Sequence, residues 1–372
     1  MFKNNKVAAF AAAATLLSGA SFAEVIADLH IKNANKLMNS TDVTAVVSFT
    51  NTDAKPVKML SYLMKANSNG ELEEPLFTVT RDGAEVPYEG MHVKRFAPAS
   101  GDYITIPAGK TVTFEAELSG VYDLQQEGNY TFTYSANHAN LFTTQAMLDH
   151  KSALMGIDGV SSNTASAFIA KDPAYDFSRI VNKAKPCNPK KEDCSGGGGT
   201  DPSGITFTGG CTSGEQADLI SALGAARNMA DDSVAYLSAN KTGSRYTTWF
   251  GTYTSSRYNT VSGNFDAIKD ALDNASLTFD CGCNQSYFAY VYPNRPYEVF
   301  FCRAFWNANE TGTDSRGGTI IHEMSHFNVV AGTDDVVYGQ SGAANLAISD
   351  PNSAVQNADS HEYFAENTPN RN

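Results

Sequence analysis

A tract rich in lysine, proline and glycine, residues 181–204, divides this 372-residue chain into two stretches that obey different periodicities. It contains Asn182-Lys183-Ala184-Lys185-Pro186, then Lys190-Lys191, then Ser195 and four glycines, Gly196 to Gly199. Sequence of this kind buries too little apolar surface to join a core and is open to proteolytic nicking. Each side must therefore build its own core, and the length suffices for two. Upstream, over 24–180, short β-branched runs alternate with turn residues: Val43 to Thr50, Tyr103 to Pro107, Thr111 to Leu118 and Asn129 to Tyr134. That rhythm predicts an all-β, sandwich-like region, with a connector from about Ala139. His30, His92 and His138 are scattered through this half and read as isolated surface or core histidines.

Downstream, over 205–372, the period changes. Leu219, Leu223, Ala226, Met229, Val234 and Leu237 recur at helical spacing between Glu215 and Ala239. A second helix is expected over about Ser255–Asn274, strands over Ser276–Asp280, Tyr287–Tyr292 and Tyr297–Phe301, and a third helix over about Arg316–Val330. The order predicts an α+β domain.

The first residues place the chain outside the cytoplasm. Lys3 and Lys6 precede an apolar run from Val7 to Leu17, and Ser21-Phe22-Ala23 closes it, the pattern of a signal peptide over 1–23. The run is too short to span a bilayer, and no later segment could do so. Secretion makes the six cysteines disulfides rather than thiols. Cys187–Cys194 is the simplest local loop; Cys211, Cys281, Cys283 and Cys302 pair among themselves, with Cys281 and Cys283 taking different partners. The formal charge of −13 excludes a nucleic-acid partner, which needs a basic face.

One stretch carries chemistry. In His322-Glu323-Met324-Ser325-His326 the two histidines lie four apart on a helix, share a face and can both reach one Zn²⁺. Glu323 then stands beside the open coordination position, where a carboxylate can take a proton from water. A catalytic zinc needs a third protein ligand. Val329 and Gly332 stand where a third-histidine continuation would need glycine and histidine, so that class is excluded. Distant Glu362 or Glu366 remains open, as does Asp335, which follows the helix stop expected at Gly332.

His322-Glu323-x-x-His326 followed by Gly332-Thr333-x-Asp335-x-x-Tyr338-Gly339 resembles the signature of the aspzincin metalloendopeptidases, the deuterolysin and peptidyl-Lys metalloendopeptidase family. The likeness extends to Arg245, Trp249, Gly251 and the four downstream cysteines, so it spans about 205–366. It implies a zincin domain holding one Zn²⁺ through His322, His326 and Asp335, with Glu323 as general base and Tyr338 aimed at the reacting carbonyl. It also implies Cys211–Cys281 and Cys283–Cys302 pairing. Asp334, beside the implied ligand, is expected to be solvated or capping. The β-rich region resembles the propeptides of bacterial aspzincin toxins, which raises a virulence role as an expectation.

The segment Asn357 to Phe364 resembles the stretch that shapes the pocket in the lysine-directed branch. There Asp359 and Glu362, three apart on a helical turn, would receive the ammonium of a lysine at P1′ of a polypeptide substrate. His361 departs from the tyrosine often found at its position. From Asp201 onward the chain has only two lysines, Lys241 and Lys269, whereas the tract offers Lys183, Lys185, Lys190 and Lys191. An enzyme that cuts before lysine would survive with such a distribution and could activate itself in the 181–204 linker, its own propeptide filling the cleft until then. Two alternatives stand beside this: a zincin of broader specificity with a different third ligand, and a secreted β-sandwich binding protein with structural zinc. A structural zinc has no need of Glu323.

Overall fold

The computed structural model describes residues 25–34, 38–66, 72–138, 140–143, 158–177 and 204–372. The expected signal peptide 1–23, the Cys187–Cys194 pair and the linker up to residue 203 lie outside these residues. What is described is a β-rich N-terminal region followed by a mixed helical and β C-terminal region.

The N-terminal region has an eight-stranded sheet and a three-stranded one. The large sheet is centred on the long strands Gly128–His138 and Asp158–Ala170, paired antiparallel. Val25–Ile31 and Thr44–Asn51 extend it on one side. The small sheet joins Phe142–Thr143, Val57–Leu60 and Tyr103–Ile106. Both sheets turn apolar side chains into one core, with Val47, Phe49, Met59, Leu60, Ile106, Phe132 and Tyr134 fully covered. The strands expected at Val43, Tyr103, Thr111 and Asn129 are all present. The connector expected from Ala139 is corrected: its Asp158–Ala170 stretch is a thirteen-residue strand inside the sheet. Small and polar residues there give no hydrophobic alternation, and hydrogen bonding on both sides holds it instead.

The C-terminal region has eight helices among the described residues: α1 Ser213–Ser238, α2 Ser244–Phe250, α3 Ser255–Asn274, α4 Arg303–Asn307, α5 Arg316–His326, α6 Gln340–Ser349, α7 Pro351–Ala354 and α8 Ala358–Glu366. Thr212 and Glu215 form a capping box at the start of α1. The strands Thr206–Thr208, Thr278–Asp280, Glu298–Phe301 and Ala289–Val291 form its sheet. The disulfides Cys211–Cys281 and Cys283–Cys302 pair as the family resemblance implied and lie at the ends of these strands.

Two features position the site. First, α5 packs directly on α8, an approach that Gly318 permits, because a Cβ there would lie 2.1 Å from Glu366 Oε1 and 3.0 Å from Glu362 Oε1. Second, the fifth strand of the C-terminal sheet comes from the N-terminal half: His92–Lys94 pairs antiparallel with Ala289–Val291, Val93 opposite Tyr290. The two halves are thus joined by strand addition, which uses backbone bonds and leaves alternate side chains free for recognition.

Candidate active site

Helix α5 stops at His326, four residues before the expected end at Val330. Phe327 leaves the helical conformation with its ring buried, and the N–H groups of Val330, Ala331 and Gly332 converge on its carbonyl. Gly332 adopts φ +57°, and Thr333 N–H returns to Ser325 O. This early turn swings Asp335 back over the helix face carrying both histidines. His322 Nε2 and His326 Nε2 are 3.1 Å apart; Asp335 Oδ1 is 3.1 Å from the first and Oδ2 is 3.4 Å from the second. Ligands on a tetrahedral zinc, bonded at about 2.0–2.1 Å, stand about 3.3 Å from one another. The three side chains are fully buried, and neither Asp335 oxygen has a hydrogen-bond partner. A donor set so spaced and left without protons to share fits a zinc ion.

The outer nitrogens of both rings are fixed. His326 Nδ1 donates to Thr333 O at 2.7 Å, and His322 Nδ1 lies 2.9 Å from Asp359 Oδ1. A proton on each Nδ1 suits these acceptors and would leave both Nε2 atoms free to face a metal ion. Glu323 is buried, both its oxygens lack partners, and burial lifts its carboxyl to about 7 despite the nearby histidines. Asp334 is exposed at the side chain, with its backbone bridged to Asn357.

The alternative third ligands have other partners. Glu366 accepts from Ser315 N at 2.8 Å and from the Ser315 hydroxyl at 2.7 Å; burial and neighbouring Glu362 raise it to about 9. Glu362 stands on the Nδ1 side of His322, at 3.3 Å, away from His326. His361 faces the core between Phe250 and Phe265, its Nδ1 donating to Asn357 O and its Nε2 3.0 Å from Asn264 Nδ2. Its departure from tyrosine leaves the Asp359/Glu362 face untouched.

That face is filled by a residue of the same chain. Lys94 is fully buried, its ammonium 2.5 Å from Glu362 Oε2, 3.4 Å from Asp314 Oδ1 and 3.5 Å from Asp359 Oδ1. Burial alone would lower Lys94; the three carboxylates outweigh it and hold the ammonium well above its usual value. Asp359 Oδ2 also accepts from Gly339 N at 2.6 Å, and Gly339 takes φ +83° with no room for a Cβ beside Ala97. One residue upstream, the carbonyl of Val93 lies 2.7 Å from the Tyr338 hydroxyl, which also meets Glu74 Oε1 at 2.9 Å. A phenol has one proton to give. Burial pushes the Glu74 carboxyl well above its usual value, against the pull of Arg95 beside it, and the Tyr338 hydroxyl faces both this carboxyl and the Val93 carbonyl.

His30 is exposed and His138 is a buried core histidine, both within the expectation, whereas His92 departs from it. His138 is buried against the rings of Tyr338 and Tyr62. His92 is buried with its ring 5.0 Å from that of His326, and it can share an ion with His326 and Asp335. Burial and the adjacent His326 push it down to about 3, so the imidazole is neutral. The available signal was the alternation in Met91-His92-Val93-Lys94, which puts a histidine and a lysine on one face of a strand.

The family model for lysine-specific metallo-endopeptidases matches residues 235–366. An extracellular protease of Aeromonas hydrophila is 45% identical over 332 residues, covering 89% of this chain and 90% of that protein. The chain belongs to the aspzincin zinc metalloendopeptidases. A peptidyl-Lys metalloendopeptidase of Armillaria mellea is 34% identical to this aspzincin over 350 residues, 92% of each chain. The solved zinc peptidase from Grifola frondosa is 48% identical across 44% of the aspzincin and all of that chain, with a TM-score of 0.43. The first two similarities reach well upstream of the family match, into the half that supplies His92 and Lys94. No described helix of this aspzincin is long and apolar enough to cross a membrane.

Proposed function

We propose that this aspzincin is exported as a latent precursor and that its C-terminal domain hydrolyses polypeptides on the amine side of lysine. One observation carries the reading: Lys94 sits in the Asp359/Glu362/Asp314 pocket while the carbonyl just before it rests on Tyr338. A substrate lysine at P1′ meets the same groups in the same order, with its scissile carbonyl at Tyr338.

His322, His326 and Asp335 would hold Zn²⁺, which when bound polarises the scissile carbonyl and lowers the pKa of water. Glu323, poised near neutrality, takes the proton of the attacking water and returns it to the leaving amine. Tyr338 donates to the carbonyl oxygen as it gains charge. Asp359 serves twice, orienting His322 and forming part of the cation pocket, which ties lysine recognition to the ligand set. Asp335 is favoured over Glu362 as third ligand because it alone meets the facing nitrogens of both histidines.

Latency follows from the same contacts: a propeptide strand lies along the sheet edge and fills both pocket and carbonyl site, leaving a substrate no place. Release would come from cleavage in the lysine-bearing 181–204 linker. Of the two lysines beyond it, Lys269 is already engaged by Asp231 and Asp273. The test is cleavage of a mixed peptide library by the mature domain, mapped by mass spectrometry with and without chelator. Cuts before lysine that vanish with chelator are expected; chelator-sensitive cuts scattered over all residues would remove the assigned pocket.

A further inference from the structure

The docked strand raises a chemical question. Val93–Lys94 presents its carbonyl to Tyr338 and its lysine to the acidic pocket, with Glu323 buried close by, so the peptide bond has the seat of a substrate inside its own enzyme. A bond in that seat should be cut.

His92 supplies the reason that it is not. Side chains two apart on a strand point the same way, so His92 and Lys94 both face the site, while Val93 turns back to pack with Met91, Tyr287 and Cys302. Lys94 enters the pocket and His92 arrives beside His326 and Asp335, with donor atoms of the three within 4.8 Å of one another. The His92 side chain is buried, and its Nδ1 has no hydrogen-bond partner. Burying a ring nitrogen without a partner is costly unless something else satisfies it. A catalytic zinc with three protein ligands keeps one position for water, and a fourth imidazole there makes the site closed.

We infer that His92 is a fourth metal ligand in the uncleaved chain, occupying the position that water needs and so guarding the Val93–Lys94 bond docked beside it. The inference rests on the metal site and lysine pocket proposed above. Without the His92 ring, water enters. Its oxygen bonds to the Val93 carbonyl carbon, the C–N bond to Lys94 breaks, and Glu323 passes the proton to the Lys94 nitrogen. The chain then ends in a carboxylate at Val93 and restarts with an amine at Lys94.

The experiment uses the full chain with Co²⁺ in place of zinc, in a Glu323→Gln background that prevents self-cleavage. Azide is titrated while the visible spectrum is recorded. With His92 present the spectrum should not respond, because no exchangeable position exists. In His92→Ala and in His92→Phe, which keeps a buried ring, azide should shift the spectrum. Release of zinc to a chromogenic chelator should also quicken by about tenfold or more in both variants. Identical azide responses and release rates with and without His92 would overturn the ligand assignment. With Glu323 restored, the His92→Ala chain should acquire a new terminus at Lys94 by mass spectrometry. An intact Val93–Lys94 bond in a variant whose Co²⁺ site has opened to azide would overturn the guarding role. Failure of the underlying reading looks different: if His322, His326 and Asp335 are not the ligands, His92-containing chains with those residues replaced still bind Co²⁺ with an unchanged spectrum.

Discussion

Replacing Lys94 with methionine keeps the length of the side chain and removes its charge, so the substitution isolates the ionic part of the proposed latch. The ammonium now balances Glu362, Asp314 and Asp359 in a site with no water-exposed lysine atoms. Removing one partner of a buried ion pair costs about 3–5 kcal/mol, because the other charge is left without compensation. The lower end applies here, since Asp359 retains Gly339 N–H and His322, and Asp314 is partly exposed. At about 1.4 kcal/mol per tenfold, 3 kcal/mol raises the open fraction of the precursor about a hundredfold. Apparent peptide affinity scales with that fraction. The assay is binding of a fluorescent lysine peptide to the uncleaved chain, with Glu323→Gln to prevent turnover. Lys94→Met should tighten binding by about two orders of magnitude, or until the latch is fully open. Lys94 lies outside residues 205–372, so mature domains released from both precursors must cleave at equal rates. A folded Lys94→Met precursor whose peptide affinity stays within about threefold of the parent would refute the reasoning, since the buried-pair penalty predicts far more.

Two further outcomes are expected. In the 205–372 domain, which lacks His92, Asp335→Ala should lose its zinc while Glu362→Gln retains about one equivalent by elemental analysis, because Glu362 meets only the outer nitrogen of His322. His361 provides a pH test, since burial holds it at about 4 against about 6.5 when unfolded. The unfolded chain therefore takes up the proton first: stability is intact above pH 6.5, falls as pH drops from 6.5 to 4, and levels off below. The loss across that window is about 3 kcal/mol, so urea unfolding at pH 7 and pH 4.5 should differ less in His361→Gln than in the parent.

Much of the candidate ligand set was legible in the sequence because its geometry is local. Two histidines four apart share a helix face in any context, and Asp335 lies only nine residues past His326. The Asp359/Glu362 pair is likewise one helical turn, and Ser255–Asn274 was bounded by its own periodicity. What resisted reading was non-local. Asp158–Ala170 is a strand because its neighbours hydrogen-bond it on both sides, and its own side chains carry no alternation to announce that. The end of α5 at His326 depended on Phe327 finding a buried site.

The sequence by itself determined that two unlike regions flank a lysine- and glycine-rich tract, and that the second carries a zinc-peptidase motif with a nearby acidic pair. Both are properties of spacing along the chain. Only the tertiary structure decided that His92 and Lys94 belong to that motif's surroundings. They reach it through a strand pairing between Val93 and Tyr290, across nearly two hundred residues of sequence. Backbone hydrogen bonds of that kind carry no residue code, so five unremarkable residues from Met91 to Arg95 became the contents of the cleft only when the sheet edge that receives them had folded.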